Sequence, residues 1–95
     1  MKTPEGYVKA DVDKYLKSLG AYVFAPVQQG FGQQTLDRLC CIFGKFVAIE
    51  IKAPGNKPTP RQYAIIEQIQ RKDGIAFWVS SVEDLKKSLE FYHVR

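Results

Sequence analysis

The chain has 95 residues, enough for one domain and too few for two, so residues 1–95 are predicted to form a single domain. Hydrophobic residues make up 45% and charged residues 25%, and no apolar run approaches the ~20 residues that span a bilayer, which argues against a membrane protein. A net charge of +4 and a pI of about 9.1 favour a polyanionic partner, but no run of Lys or Arg exceeds two residues, which excludes a basic tail.

The first segment is predicted to be a helix. Thr3 and Pro4 are typical of an N-cap followed by proline at the first helical position, and Gly20 ends the pattern. Apolar residues recur at helical spacing at Val8, Val12, Leu16 and Leu19. Glu5 lies three residues before the first of these, which places it on or beside the inward-facing stripe. Because no apolar signal segment precedes the helix, we expect a cytoplasmic protein.

Three β-rich runs follow the helix, at residues 21–25, 35–41 and 45–52. The last two are separated by a short segment around Gly44, which is typical of a β-hairpin. Residues 28–34 contain two glycines and four glutamines, and they are predicted to form a mobile loop.

The second half of the chain predicts two helices and one strand. Residues 53–58 are turn-forming, and Thr59 with Gln62 three residues later forms the capping box of a helix. Residues 75–79 predict a short buried strand, and Ser81 caps a last helix. The predicted order is αβββαβα, an α/β fold with a mixed central sheet flanked by helices.

The two cysteines, Cys40 and Cys41, are adjacent in sequence. On a strand they point to opposite faces, and neighbouring cysteines rarely have disulfide geometry. No second cysteine pair or histidine cluster offers a zinc site. We interpret both as reduced packing residues, which fits a reducing compartment.

The segment Ile49-Glu50-Ile51-Lys52 carries the first indication of chemistry. On a strand the two isoleucines point to one face, so Glu50 and Lys52 share the other. A charged pair on such a strand is either solvated or functional, and this motif alone favours the solvated interpretation.

The predicted hairpin favours the functional interpretation over the solvated one. If its turn has an even number of residues, either 43–44 or 42–45, the strands pair residues whose numbers sum to 87, and Asp37 lies directly opposite Glu50. Two carboxylates about 5 Å apart are destabilising unless a proton or cation intervenes. A divalent ion that prefers oxygen ligands, Mg²⁺ or Mn²⁺, is the simplest remedy. An odd-length turn would put Asp37 on the wrong face.

These features resemble the VRR-NUC branch of the PD-(D/E)XK nucleases over most of the chain. The matching motifs, in order, are Asp37-Arg38-Leu39, then Glu50-Ile51-Lys52 after twelve residues, Ala53-Pro54-Gly55 and Thr59-Pro60-Arg61-Gln62. Glu5, fifteen residues before Gly20, is similar to the family's glutamate at the head of the first helix. Leu36 stands where the family usually has proline. Since leucine can hold an extended backbone, we expect Asp37 to stay in place.

The resemblance implies a restriction-endonuclease-like core and metal-assisted phosphodiester hydrolysis. It implies that Asp37 and Glu50 bind one or two Mg²⁺ or Mn²⁺ ions, with the Ile51 carbonyl as a further ligand. Glu5 would complete the shell directly or through water. The remaining catalytic candidates are Lys52 and Gln62. Lys52 would orient or deprotonate the attacking water, or stabilise the charge that develops on phosphate. Gln62 would orient water or phosphate.

The resemblance also implies partners. Its small stand-alone members, of phage or bacterial cells, act as homodimers on branched DNA such as four-way junctions, and we expect the same here; RNA stays open as a substrate. Candidate phosphate contacts are Arg38, Lys45, Lys57 and Arg61, each of which could equally be solvated. Phe31 is a candidate wedge or stacking group in the loop. The alternatives are an inactive nucleic-acid-binding module with the same fold, and a structural domain without affinity for DNA.

Overall fold

A computed structural model describes residues 2–27 and 32–95. Their helices and strands follow the predicted order αβββαβα: α1 Pro4–Ser18, β1 Tyr22–Phe24, β2 Arg38–Ile42, β3 Lys45–Ile51, α2 Pro60–Arg71, β4 Ile75–Val79 and α3 Val82–Phe91. The strands form one sheet in the order β1-β2-β3-β4, with β3 and β4 parallel and the other pairs antiparallel. The predicted mixed sheet is therefore confirmed. Within the described residues, no helix has both the length and the apolar character that a membrane span requires.

The helices begin where the sequence predicts. The Thr3 hydroxyl accepts a hydrogen bond from the Gly6 amide at 3.0 Å, and Pro4 occupies the first turn of α1. Thr59 and Gln62 form a reciprocal capping box at the start of α2, which satisfies two otherwise unpaired backbone amides. Ser81 caps α3.

Helices cover both faces of the sheet. On one face α1 packs over β1 and β3, and α3 packs over β4 and against α1. This larger core contains thirteen buried residues, Val8, Val12, Leu16, Cys40, Ile42, Val47, Ile49, Ile51, Phe77, Val79, Leu85, Leu89 and Val94. On the other face α2 packs over β3 and β4 around a smaller cluster, Leu36, Ala48, Ile66 and Ala76. Alternation along β3 explains the division, because odd-numbered residues point to α1 and α3 and even-numbered residues to α2.

The hairpin between β2 and β3 has a two-residue turn. Phe43 and Gly44 both have positive φ, 49° and 79°, as expected of a type I′ turn, whose twist matches that of the flanking strands. The paired residues run from Ile42 with Lys45 to Arg38 with Ile49, so their numbers sum to 87. The even-length turn and its register are therefore confirmed.

The predicted start of β2 is wrong. Residues 35–41 were expected to form a strand, but β2 begins at Arg38 and extends to Ile42. Leu36 is fully buried ahead of the strand, in the cluster beneath α2. The ladder ends there because the amide of Ile51, which would otherwise bond across to β2, donates to the carboxylate of Asp37 instead.

On the α2 side, part of the sheet is not covered by any of the residues that the structure describes. Tyr22 on β1 lies opposite Cys41, which in turn lies opposite Phe46 on β3, so the three share this face. Phe24 belongs to the next row of the same face, opposite Leu39. Tyr22, Phe24 and Phe46 are 70%, 52% and 50% exposed. We call Tyr22, Phe24, Leu39, Cys41 and Phe46 the open sheet face.

The cysteines are both free thiols on opposite sides of β2, as predicted. Cys40 is buried in the larger core, and Cys41 is exposed on the open sheet face. Burial raises the pKa of the Cys40 thiol to about 11, so this thiol stays protonated near neutral pH.

Candidate active site

Asp37 and Glu50 meet on the α2 side of the sheet, at the end of the hairpin away from its turn. Continuing the observed register by one pair beyond Arg38 and Ile49 puts Asp37 opposite Glu50. Glu50 is only 2% exposed, and its register partner on β4 is Trp78. The solvated interpretation is therefore wrong for Glu50.

The environment of Glu50 disfavours its charged form. Burial raises the pKa of this carboxyl to about 7, and the negative charge of Asp37 acts in the same direction. The opposing influence is Lys52, whose Nζ lies 3.4 Å from the Glu50 carboxylate and whose side chain is 14% exposed. The predicted acid–acid–lysine arrangement is therefore present.

Asp37 also contacts the backbone of β3. Its Oδ2 accepts a hydrogen bond from the Ile51 amide at 2.9 Å. The Lys52 amide donates in the other direction, to the Val79 carbonyl of β4 at 2.9 Å. Because the carbonyl of Ile51 and the amide of Lys52 belong to one trans peptide, they point in opposite directions. The Ile51 carbonyl therefore points toward the side of the strand where Asp37 lies.

Helix α1 contributes a lysine that sequence reasoning missed. Lys9 Nζ lies 3.2 Å from Glu5 Oε2 and 3.8 Å from Asp37 Oδ1, so it joins the two acids. The signal for it was present, because Glu5 and Lys9 are four residues apart on one helix face. Glu5 is thus close to Asp37 through Lys9. Among the residues described, no group of three or more Asp, Glu, His or Cys side chains is placed so that it could hold a metal ion.

Two carboxylates and one carbonyl nevertheless suit a divalent cation. Asp37, Glu50 and the Ile51 carbonyl are all oxygen donors, the kind that Mg²⁺ and Mn²⁺ prefer. The raised pKa of Glu50 indicates a buried acid with too little positive charge around it, and a bound cation would supply that charge. The donor set fits such an ion, with Glu5 outside the group of direct ligands.

Arg38, a candidate phosphate contact, directs its guanidinium at groups of the protein itself. Its Nε and Nη2 donate to Asp13 of α1 at 2.8 and 3.0 Å, and its Nη1 donates to the Asp37 carbonyl at 2.8 Å. The side chain is 12% exposed. The hydrogen bond to Asp13 is the main reason that the pKa of Arg38 lies above its ordinary value. The guanidinium is therefore engaged within the protein.

The other predicted phosphate contacts fall in different places. Lys57 and Arg61 are exposed on either side of the N-terminus of α2, which follows Lys52 after a short turn. Lys45 is at the other end of β3, about 17 Å along the strand from Glu50, and alternation points it to the opposite face. Lys45 is therefore not beside the acids. Phe31 lies outside the described residues.

Gln62 has one of its two polar ends occupied. Its Oε1 accepts a hydrogen bond from the Thr59 amide at 2.9 Å in the capping box. A direct contact with a phosphate oxygen, which is an acceptor, would have to come from its amide nitrogen, which is a donor.

Comparisons with known proteins agree with this architecture. No model of a protein family and no curated protein matches the chain. Among solved structures, a chain described as "VRR_NUC domain" matches with a TM-score of 0.81 and 26% sequence identity, and the match covers 96% of this chain and 99% of that one. A likeness over nearly the whole of both chains shows a nuclease-type fold. The predicted resemblance to the VRR-NUC family is therefore confirmed by a solved structure of that description.

Proposed function

We propose that this protein is a metal-dependent endonuclease that hydrolyses phosphodiester bonds in DNA. The observation that carries the proposal is the buried Glu50 opposite Asp37, with Lys52 beside it at 3.4 Å. The nuclease-type fold supports the same class of reaction. A structural domain without affinity for DNA gives no reason to bury an acid beside another acid, because each such group destabilises the fold unless it is compensated.

In this proposal Asp37, Glu50 and the Ile51 carbonyl hold Mg²⁺ or Mn²⁺, and Glu5 acts through water. When bound, the ion supplies Lewis-acid polarisation of the scissile phosphate and a more acidic water. The hydrogen bond from the Ile51 amide holds the Asp37 carboxylate in one orientation before substrate arrives. The burial of Glu50 keeps bulk water away from its carboxylate, which strengthens every charge interaction there.

Lys52 is proposed to act on the substrate. Its ammonium lies at the rim of the buried pair and can donate to a phosphate oxygen or to the attacking water. Donation to phosphate would stabilise the negative charge that develops as the bond to the leaving oxygen breaks. Gln62 is proposed to add a donor from its amide nitrogen.

DNA is proposed to reach the site across the N-terminus of α2. Lys57 and Arg61 are exposed there, and the N-terminal end of a helix favours anions. These groups are expected to contact phosphates and to carry no sequence preference. RNA stays open as a second substrate.

We further propose that the active form is a homodimer selective for branched DNA. The open sheet face carries three half- to mostly exposed aromatic rings side by side, which a second copy would remove from water. Tyr22→Ser with Phe24→Ser should then give a monomer in light scattering. The variant should retain metal binding and lose cleavage of four-way junctions. A dimer that survives both substitutions would contradict this placement.

The central test is cleavage of duplex, flap and four-way-junction DNA with Mg²⁺ or Mn²⁺. The wild type should cut at least one of these substrates, and Asp37→Ala and Glu50→Ala should not. Glu67→Ala, on the exposed side of α2, is the matched control and should cut like the wild type. No cutting by the wild type, or full cutting by Glu50→Ala, would contradict the proposal. The alternative of an inactive nucleic-acid-binding module predicts DNA binding without any metal site that Asp37→Ala removes.

A further inference from the structure

One ridge of helix α1 faces the chain at Asp37 and Arg38. Glu5, Lys9 and Asp13 are spaced four residues apart, so they lie one above another on the helix. Their charges alternate, and two of them meet the opposite charge on the neighbouring segment. Lys9 lies 3.8 Å from the Asp37 carboxylate, and Asp13 binds the Arg38 guanidinium.

The contact between Asp13 and Arg38 is the tighter of the two. Nε and Nη2 of Arg38 donate to the two oxygens of Asp13 at 2.8 and 3.0 Å, a bidentate pair. The Arg38 side chain is 12% exposed and that of Asp13 30% exposed, so solvent weakens the pair only in part. Because the guanidinium is a rigid planar fork, two bonds on one edge fix the direction of its remaining donors.

One of the remaining donors reaches the segment that is proposed to bind metal. Nη1 of Arg38 donates to the Asp37 carbonyl at 2.8 Å. Asp37 lies just before β2, where the ladder with β3 has ended, so regular strand pairing does not hold its backbone. The bond from Arg38 holds the carbonyl of Asp37, while the Ile51 amide holds its carboxylate.

We propose that Asp13 is a positioning residue for the Asp37 carboxylate. Asp13 orients Arg38, Arg38 fixes the backbone of Asp37, and the carboxylate is thereby aimed at the place where a divalent ion would bind. This inference rests on the proposed metal-dependent function. It also explains why a basic residue next to an active-site acid is buried in the protein instead of facing DNA.

The test is calorimetric titration of Mn²⁺ into the full chain without DNA. Asp13→Asn should weaken Mn²⁺ binding about tenfold, the lower end of the effect of losing a group that orients a metal ligand. The number of ions bound per chain should not change. Asp11→Asn is the matched control, because Asp11 is exposed on the same helix and makes no ion pair among the described residues. It should bind Mn²⁺ like the wild type.

Affinity and stoichiometry separate positioning from folding. If Asp13 only stabilised the fold, Asp13→Asn would bind fewer ions per chain with unchanged affinity, and that result would overturn the proposal. An equal loss of affinity in Asp11→Asn would also overturn the proposal, because the loss would then follow from the net charge of α1 and not from the contact between Asp13 and Arg38. Arg38→Lys is the second variant; it keeps the positive charge without the planar fork and should weaken binding to a similar degree.

The same titration distinguishes this inference from the proposed function. Asp37→Ala should abolish Mn²⁺ binding. If it does and Asp13→Asn binds like the wild type, the function stands and the role of Asp13 is refuted. If the wild type binds no Mn²⁺, or Asp37→Ala binds it normally, the proposed function fails and the role of Asp13 fails with it.

Discussion

Replacing Glu50 with glutamine is expected to stabilise the metal-free protein above neutral pH. The pKa of Glu50 is raised from 4.5 to about 7, mainly by burial and then by the charge of Asp37, while Lys52 opposes the shift. The folded state therefore holds a proton that the unfolded state has lost between these two pH values. Stability consequently falls as pH rises from about 4.5 to about 7. Above that window the ionised carboxylate costs about 3 kcal/mol.

Glu50→Gln removes this cost because glutamine cannot ionise. At pH 8 in EDTA, its free energy of unfolding should exceed that of the wild type by up to about 3 kcal/mol. At pH 5 the gain should be below about 1 kcal/mol, because the wild-type residue is then protonated in the folded state. The measurement is urea denaturation of both proteins at the two pH values. Taking the difference between the proteins cancels the contributions of their other titrating groups.

The control and the metal dependence sharpen this experiment. Glu67→Gln alters an acid that is 65% exposed, so its effect should be small and nearly independent of pH. Saturating Mn²⁺ should stabilise the wild type and leave Glu50→Gln almost unchanged, since only the native site binds the ion. A variant that is no more stable than the wild type at pH 8 would refute the account of Glu50 as a destabilising buried acid.

Three further substitutions test the surroundings of the site. Leu36→Ala should destabilise the fold by about 2–5 kcal/mol in urea denaturation, because removal of this fully buried side chain leaves a cavity. A loss below about 1 kcal/mol would show that the segment before Asp37 relaxes to fill the cavity. Lys9→Met should tighten Mn²⁺ binding by up to about fivefold in calorimetry, since the ion pair between Lys9 and Asp37 then no longer competes with the metal. Weaker binding would show that the Lys9 ammonium helps to hold the Asp37 carboxylate in place. Arg61→Ala should lower DNA affinity and reduce the salt dependence of binding by about one counterion. Arg71→Ala, at the other end of the same helix, should have neither effect. Equal effects of the two substitutions would show that DNA does not bind at the N-terminus of α2.

The parts of the site that depend on local rules were predictable. The face that each residue of β3 presents follows from strict alternation, and the register of the hairpin follows from the length of its turn. Together these two rules brought Asp37 opposite Glu50 without any tertiary information. The caps of α1, α2 and α3 were predictable for the same reason, because Thr3, Thr59 and Ser81 satisfy backbone amides within three residues.

The parts that depend on packing between distant segments were not predictable. In the sequence, Arg38 next to Asp37 looks free to bind phosphate. Only the placement of α1 shows that its guanidinium forms an ion pair with Asp13, twenty-five residues earlier. Lys45 is close to Glu50 in the chain but five residues along an extended strand, where each residue adds about 3.3 Å. The burial of Leu36 ahead of β2 likewise requires α2, which folds over it from later in the sequence.

The two-residue turn at Phe43 and Gly44 gives a residue inserted there two possible outcomes. A longer loop keeps every strand pair and leaves Asp37 opposite Glu50, whereas a shift of the pairing by one residue would turn Asp37 to the α1 side of the sheet. Relatives that keep the chemistry are therefore expected to place added residues in the loop itself and to leave the strand pairs unchanged.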